Sequence, residues 1–245
     1  RPNTVNYTHV GTRQRKERTM RHHSPTPMIL GCAVIAVTWV VTLGGQYSLT
    51  VNEDRLINAQ NEPQNWLLMN GDYGSMRYSK LTQINRDNVS DLRMVWALAL
   101  GGMQDVGQNG PEAELNPLID NGFMYTSDGW GTVYKIDARN PDYGKLLWVA
   151  DAGVDHEGNT SRSRGIALWE ESVLANLPDG RVIAIDRENG EIIWDVEVAV
   201  TNEFGTRERF LTAPLVANGK VLVQNGAGDG GTRGSECWVW FQEAF

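Results

Sequence analysis

Val133–Asp151 reads VYKIDARNPDYGKLLWVAD, and Val182–Val198 reads VIAIDRENGEIIWDVEV. Each opens on a β-rich run ending in Ile-Asp and turns through a polar stretch holding one glycine, Gly144 or Gly190. Each then closes on a strand carrying Trp148 or Trp194. Short apolar runs bounded by turn residues are strands covered on both faces, and alternating runs are strands with one wet face. A weaker copy, INRDNVSDLRMVWALAL, reaches Trp96, so positions 96, 148 and 194 give spacings of 52 and 46 residues. That period is the length of one four-stranded blade of a β-propeller.

The segments between the repeats read the same way. PLIDNGFMYTSD, ALWEESVLANLPDGRVIAI and APLVANGKVLVQNG place Asn-Gly, Asp-Gly or an acidic pair between β-branched runs, the mark of hairpins. Past Asn52 no long helical periodicity appears. The predicted fold is therefore all-β, a partial propeller in which each tryptophan staples one blade to the next. A large flat ring suits that task because a blade must bury both of its faces against neighbours. On this reading Trp96, Trp148 and Trp194 are structural.

Composition agrees with a folded chain: 41% hydrophobic and 21% charged residues, with 26 glycines and 9 tryptophans in 245 residues. The net charge of −8 is unevenly spread. Residues 1–28 hold 6 basic side chains against Glu17 alone, which leaves 16 basic and 29 acidic residues in the remainder. A body this acidic repels phosphate backbones, so nucleic acid is excluded as a partner. Cys32 and Cys237 are the two cysteines, and Cys32 lies in an apolar run, so no structural disulfide is expected. Met28–Gly44 is an uncharged 17-residue stretch preceded by Arg21 and followed by small residues. That is the layout of a secretory signal, and its length also admits a membrane anchor. The expected organisation is a basic segment over 1–27, a signal or anchor over 28–45, a propeller over 52–234 and a divergent tail over 235–245.

Asn65–Trp96, NWLLMNGDYGSMRYSKLTQINRDNVSDLRMVW, resembles the opening of the PQQ-dependent alcohol dehydrogenases, the methanol and ethanol dehydrogenase group. The likeness runs from about Asn52 to Gly234, and SECWVWFQEAF (Ser235–Phe245) departs from it. It implies the first two to three blades of an eight-bladed propeller that binds pyrroloquinoline quinone (PQQ) and calcium. It further implies a small alcohol, or a sugar or polyol, as substrate, a cytochrome c or membrane quinone as electron acceptor, and a periplasmic location.

The resemblance also assigns residues. Glu114, in AELNPLIDNG, takes the place of a glutamate that contacts PQQ, with a solvated turn acid as its plainer account. Arg164, in SRSRGIALW, falls at the family's asparagine-arginine-glycine site with Ser163 in place of the asparagine. Its guanidinium offers a fork to a carboxylate and a fixed cation; the plainer account pairs it with Glu170. The family's two adjacent cysteines are replaced by Gly158 and Asn159. Gly226, Ala227 and Gly228 match backbone positions beside the quinone, and Leu211 with Thr212 falls at a threonine position. Asp229 stands at a calcium-binding glutamate, one methylene shorter. Glu114, Arg164 and Asp229 are therefore expected to face one axial funnel.

The catalytic base and the remaining calcium ligands are expected beyond Phe245, so the isolated chain is expected to be inactive. Gly226–Gly231 also satisfies G-x-G-x-x-G, but no helix signal follows it and every neighbour reads as strand, which argues against a dinucleotide site. The rival reading is a non-catalytic periplasmic propeller scaffold of the outer-membrane assembly type. Such a scaffold needs the tryptophans but not Glu114, Arg164 and Asp229 together.

Overall fold

The structure is a computed structural model that describes residues 50–100, 112–157, 159, 162–201 and 209–224, with the backbone of 239–243. Strand β1 (Glu112–Ala113) precedes an antiparallel meander of β2 (Leu118–Asp120), β3 (Phe123–Ser127), β4 (Val133–Asp137) and β5 (Lys145–Ala150). Then β6 (Arg162–Ser163) precedes a second meander of β7 (Ile166–Trp169), β8 (Ser172–Asn176), β9 (Arg181–Asp186) and β10 (Ile192–Glu197). A third sheet orders β11 (Leu215–Ala217), β12 (Lys220–Gln224) and β13 (Val239–Glu243). These are consecutive propeller blades, the third represented by three strands.

Local chemistry explains the turns. Asn121 and Gly122 have φ of 56° and 77°, and Asn218 and Gly219 have 51° and 68°. Paired positive φ values match the right-handed twist of a two-residue hairpin, and Asn-Gly reaches them with least strain. Burial explains the strands. Within the second blade β8 and β9 are buried along nearly their whole length, whereas β10 alternates between exposed and partly covered residues. Inner strands are covered by blades on both sides, and the outermost strand turns one face to solvent.

The tryptophans staple blades through glycines. A Cβ at Gly190 would lie 2.8 Å from the Trp148 ring, and one at Gly144 would lie 2.8 Å from the Trp96 ring. Each indole thus rests on the turn glycine of the following repeat, the two positions that recur in the sequence. One expectation needs correction. Val89–Asp91 is a short 3-10 helix and residues 92–100 form no strand, although Leu92, Met94 and Val95 carry a strand's apolar pattern and are exposed. A strand requires a ladder partner for its N–H and C=O groups, and none of the described residues offers one there. Trp96 keeps its stapling contact without the strand.

The segment before the first blade ties the blades together along their inner edges. Trp66 exchanges both backbone hydrogen bonds with Ile119 of β2, and the Tyr73 hydroxyl donates to the Val216 carbonyl of β11 at 2.5 Å. Between them Met69 lies against Gly165 at the start of β7. A short helix, Glu53–Ile57, is capped by Asn52, whose side chain accepts from the Arg55 N–H. Arg55 then reaches Asp120 of β2 at 2.8 Å, and Arg187, beyond β9, reaches the other oxygen of the same carboxylate at 2.5 Å. Among the described residues no helix is long and apolar enough to cross a membrane; Met28–Gly44 lies outside them.

Candidate functional site

The inner ends of the blades meet through short strands that belong to no meander. β1 and β6 pair in parallel, Glu112 with Arg162 and Ala113 with Ser163. Parallel pairing between residues 50 apart requires a whole blade as the crossover, and the first blade supplies it. The ladder continues one residue further, because the Glu114 N–H donates to the Ser163 carbonyl at 2.8 Å. On the other side the Arg164 N–H donates to the Leu211 carbonyl at 3.0 Å. The segments leading into the three blades therefore stand side by side at one end of the sheets.

This arrangement brings Glu114 and Arg164 together. Arg164 Nε donates to Glu114 Oε2 at 2.9 Å, and the side chains keep 48% exposure for the glutamate and 31% for the arginine. The hydrogen bond from Arg164 is the main reason the Glu114 carboxyl is held below the usual carboxylate range, so it stays ionised at neutral pH. The alternative partner for Arg164 is not used. Glu170 sits in the β7–β8 turn with φ of 47° and bonds Val51 through its backbone. Among the described residues the terminal guanidinium nitrogens of Arg164 meet no acceptor. Its fork remains available to a ligand carboxylate.

Thr212 is adjacent: its carbonyl accepts from the Asn176 amide at 2.7 Å, and its hydroxyl lies 3.4 Å from the Gln224 carbonyl. Asp229, Gly226, Ala227 and Gly228 lie outside the described residues, as do Cys32, Cys237 and Gly158. The Asn159 side chain donates to the Asp155 carbonyl at 2.7 Å. Among the described residues no group of three His, Cys, Asp or Glu side chains could hold a metal.

Gly165 shows how tightly the arginine is seated. Its φ is +140°, and a Cβ there would lie 2.9 Å from the Ala213 Cβ and 3.4 Å from the Met69 sulfur. Gly165→Ala is expected to cost about 1–3 kcal/mol in backbone strain and to push Arg164 off Glu114. Urea denaturation of the variant, with the Glu114 titration followed alongside, checks both effects.

Two features escaped the sequence reading. Ser127 at the end of β3 and Ser163 of β6 share a buried hydroxyl–hydroxyl hydrogen bond of 3.1 Å. His156 stacks on Trp130, with centroids 3.9 Å apart and planes 12° from parallel. The Trp130 turn is built on Asp128, whose Oδ1 accepts from the N–H groups of Trp130 and Thr132 while Oδ2 accepts from the Tyr134 hydroxyl. The Ser-Asp-Gly-Trp-Gly order of that turn was a usable signal: an Asp with glycines close behind it is a turn builder.

With this geometry in hand, the similarities to known proteins are specific. The pattern of the PQQ glucose/ethanol/alcohol dehydrogenase β-propeller domain matches residues 66–236. The quinohemoprotein alcohol dehydrogenase ADH-IIG of Pseudomonas putida is 34% identical over 212 residues, 82% of this chain and 28% of that protein. The dehydrogenase subunit of the quinone alcohol dehydrogenase of Gluconacetobacter polyoxogenes is 32% identical over 83% of this chain and 27% of its own length. Among solved structures, ADHIIG from Pseudomonas putida HK5 superposes with a TM-score of 0.67 at 32% identity, covering 80% of this chain and 27% of that one. A europium-containing methanol dehydrogenase gives 0.65 at 27% identity, over 78% and 32% of the two chains. The chain thus spans about a quarter to a third of the length of the relatives it matches. Tryptophan-stapled blades, an arginine followed by a glycine at φ +140°, and a match over most of the described propeller lead to one conclusion: the chain belongs to the PQQ-dependent alcohol dehydrogenase family of β-propellers.

Proposed function

We propose that this chain forms part of the cofactor wall of a PQQ- and calcium-dependent dehydrogenase that oxidises a small alcohol. Electrons then pass to a cytochrome or a membrane quinone, and Met28–Gly44 directs the chain to the periplasm. The observation that carries the reading is the Arg164–Glu114 pair, held at the converging ends of three blades, with the terminal guanidinium nitrogens meeting no acceptor among the described residues. A cofactor bearing several carboxylates suits such a cation, because charge-assisted hydrogen bonds to guanidinium are strong and directional.

Arg164 would hold a cofactor carboxylate. Glu114 would fix the arginine's orientation and accept from an N–H of the ligand through its second oxygen. Thr212 and the Gly226–Ala227–Gly228 backbone would line the wall, and Asp229 would ligate calcium. The quinone supplies two-electron acceptor chemistry, and the calcium ion a Lewis acid. The base that takes the alcohol proton belongs to blades outside this chain. Here the protein's own contribution is to bind, orient and exclude water.

The test is a titration of the full-length apo-protein with PQQ and calcium, followed by the quinone's absorbance. Arg164→Ala is expected to weaken binding by about 10- to 100-fold, the loss of a hydrogen bond to a charged group. Asp229→Ala is expected to lower calcium affinity, so that more calcium is needed for quinone binding. Unchanged binding in both variants rejects this assignment of the wall.

A further inference from the structure

We propose that Ser127 is a positioning residue for the Arg164–Glu114 pair, acting through the hydroxyl of Ser163. The inference rests on the reading of that pair as part of the cofactor wall, and it extends the wall to a residue in the interior of the first blade.

Ser163 and Arg164 are held from three directions. The Ser163 hydroxyl meets Ser127 Oγ at 3.1 Å, across 36 residues of chain. The Ser163 carbonyl accepts from the Glu114 N–H at 2.8 Å. The Arg164 N–H donates to the Leu211 carbonyl at 3.0 Å. Two of these anchors are backbone to backbone and use no side-chain atom. The Ser127 hydroxyl is the anchor that side-chain chemistry controls.

Burial makes that anchor matter. Ser127 is 1% exposed and Ser163 4% exposed, so water cannot replace either partner without opening the blade interface. Deleting one hydroxyl leaves the other buried and unsatisfied, and the structure relieves this by moving β6 toward water. β6 is only two residues long, and Arg164 follows it directly. Any rotation at Ser163 therefore passes straight to the guanidinium. The Nε–Oε2 contact of 2.9 Å is directional, so a small rotation is enough to lose it. Ser163 stands where the family resemblance expects asparagine. The pairing with Ser127 provides a polar anchor at that place without an amide.

The ionisation of Glu114 reports on the device without any cofactor, because the hydrogen bond from Arg164 is what holds that carboxyl low. The experiment follows the Glu114 carboxyl carbon by nuclear magnetic resonance through an acid titration of the 245-residue chain, with Glu114→Gln identifying the signal. Ser127→Ala and Ser163→Ala are expected to raise the titration midpoint toward that of a free glutamate. The exchange rate of the Glu114 amide is expected to rise by about tenfold, as for the loss of one buried hydrogen bond. Ser127→Thr restores the hydroxyl and is expected to restore the wild-type midpoint.

A merely structural role would lower the denaturation midpoint and leave the titration of the folded protein unmoved. If Ser127→Ala does not fold, Ser163→Ala is read in its place. A Glu114 midpoint unchanged in the folded alanine variants, or a threonine variant that behaves as alanine does, overturns the proposal. The cofactor titration of Arg164→Ala is independent of this outcome, so the two ideas fail separately.

Discussion

Asp120→Ala is expected to destabilise the chain by about 3–5 kcal/mol, the cost of removing one partner from a buried ion pair. Asp120 is fully buried and accepts from Arg55 on one oxygen and Arg187 on the other. The two arginines come from distant parts of the chain, one from the capped helix before the first blade and one from the second blade. Without the carboxylate, two guanidinium groups face each other across a site that water does not reach. Arg55 keeps Glu62 at 2.6 Å, and Arg187 keeps the Glu170 carbonyl at 3.0 Å, so each cation is partly compensated. That places the expectation within the range rather than above it. Domains are stable by only about 5–15 kcal/mol in total, so the loss is a large fraction. Equilibrium urea unfolding, with tryptophan fluorescence as the probe, measures it. A loss below about 1 kcal/mol would mean that the site admits water and behaves as a surface pair.

Trp148→Ala is expected to cost a similar amount, about 3–5 kcal/mol for truncating a buried tryptophan. Trp148 is 9% exposed; its ring centroid lies 6.2 Å from that of Tyr125, and Nε1 donates to the Arg187 carbonyl at 3.2 Å. Its partner across the interface is Gly190, where a Cβ would sit 2.8 Å from the ring. That closeness provides an internal check. Gly190→Ala meets two penalties in the wild-type chain, the clash with Trp148 and the strain of φ +81°. In the Trp148→Ala background only the backbone strain remains. A double-mutant cycle is therefore expected to show positive coupling, the glycine substitution costing less once the ring is gone. Simple additivity would mean that the ring does not rest on the glycine.

The repeat was legible because its signals are local. Trp148 and Trp194 close strands whose apolar periods and turn residues sit within a few positions, and Asn121-Gly122 and Asn218-Gly219 announce hairpins by their backbone preferences alone. Trp96 marks the limit of that approach. Its segment has the apolar pattern of a strand, yet a strand also needs a ladder partner, which pattern cannot provide. The plainer account paired Arg164 with Glu170, and the structure pairs it with Glu114 instead. Glu170 is close in sequence, but its turn points the backbone toward Val51.

What the sequence determined by itself is the class of fold, the blade period and the positions that carry it: the tryptophans and the turn glycines. These follow from periodicity and turn chemistry, which act over short stretches of chain, whereas Glu114 and Arg164 were marked only by the family resemblance. Only the tertiary structure decided which of them meet. Glu114 with Arg164, Ser127 with Ser163, and Asp120 with both Arg55 and Arg187 are contacts between groups 36 to 67 residues apart. No local preference encodes such pairs, because each exists only after whole blades have stacked; the serine pair and Asp120 are also closed off from water, whereas Glu114 and Arg164 stay partly exposed.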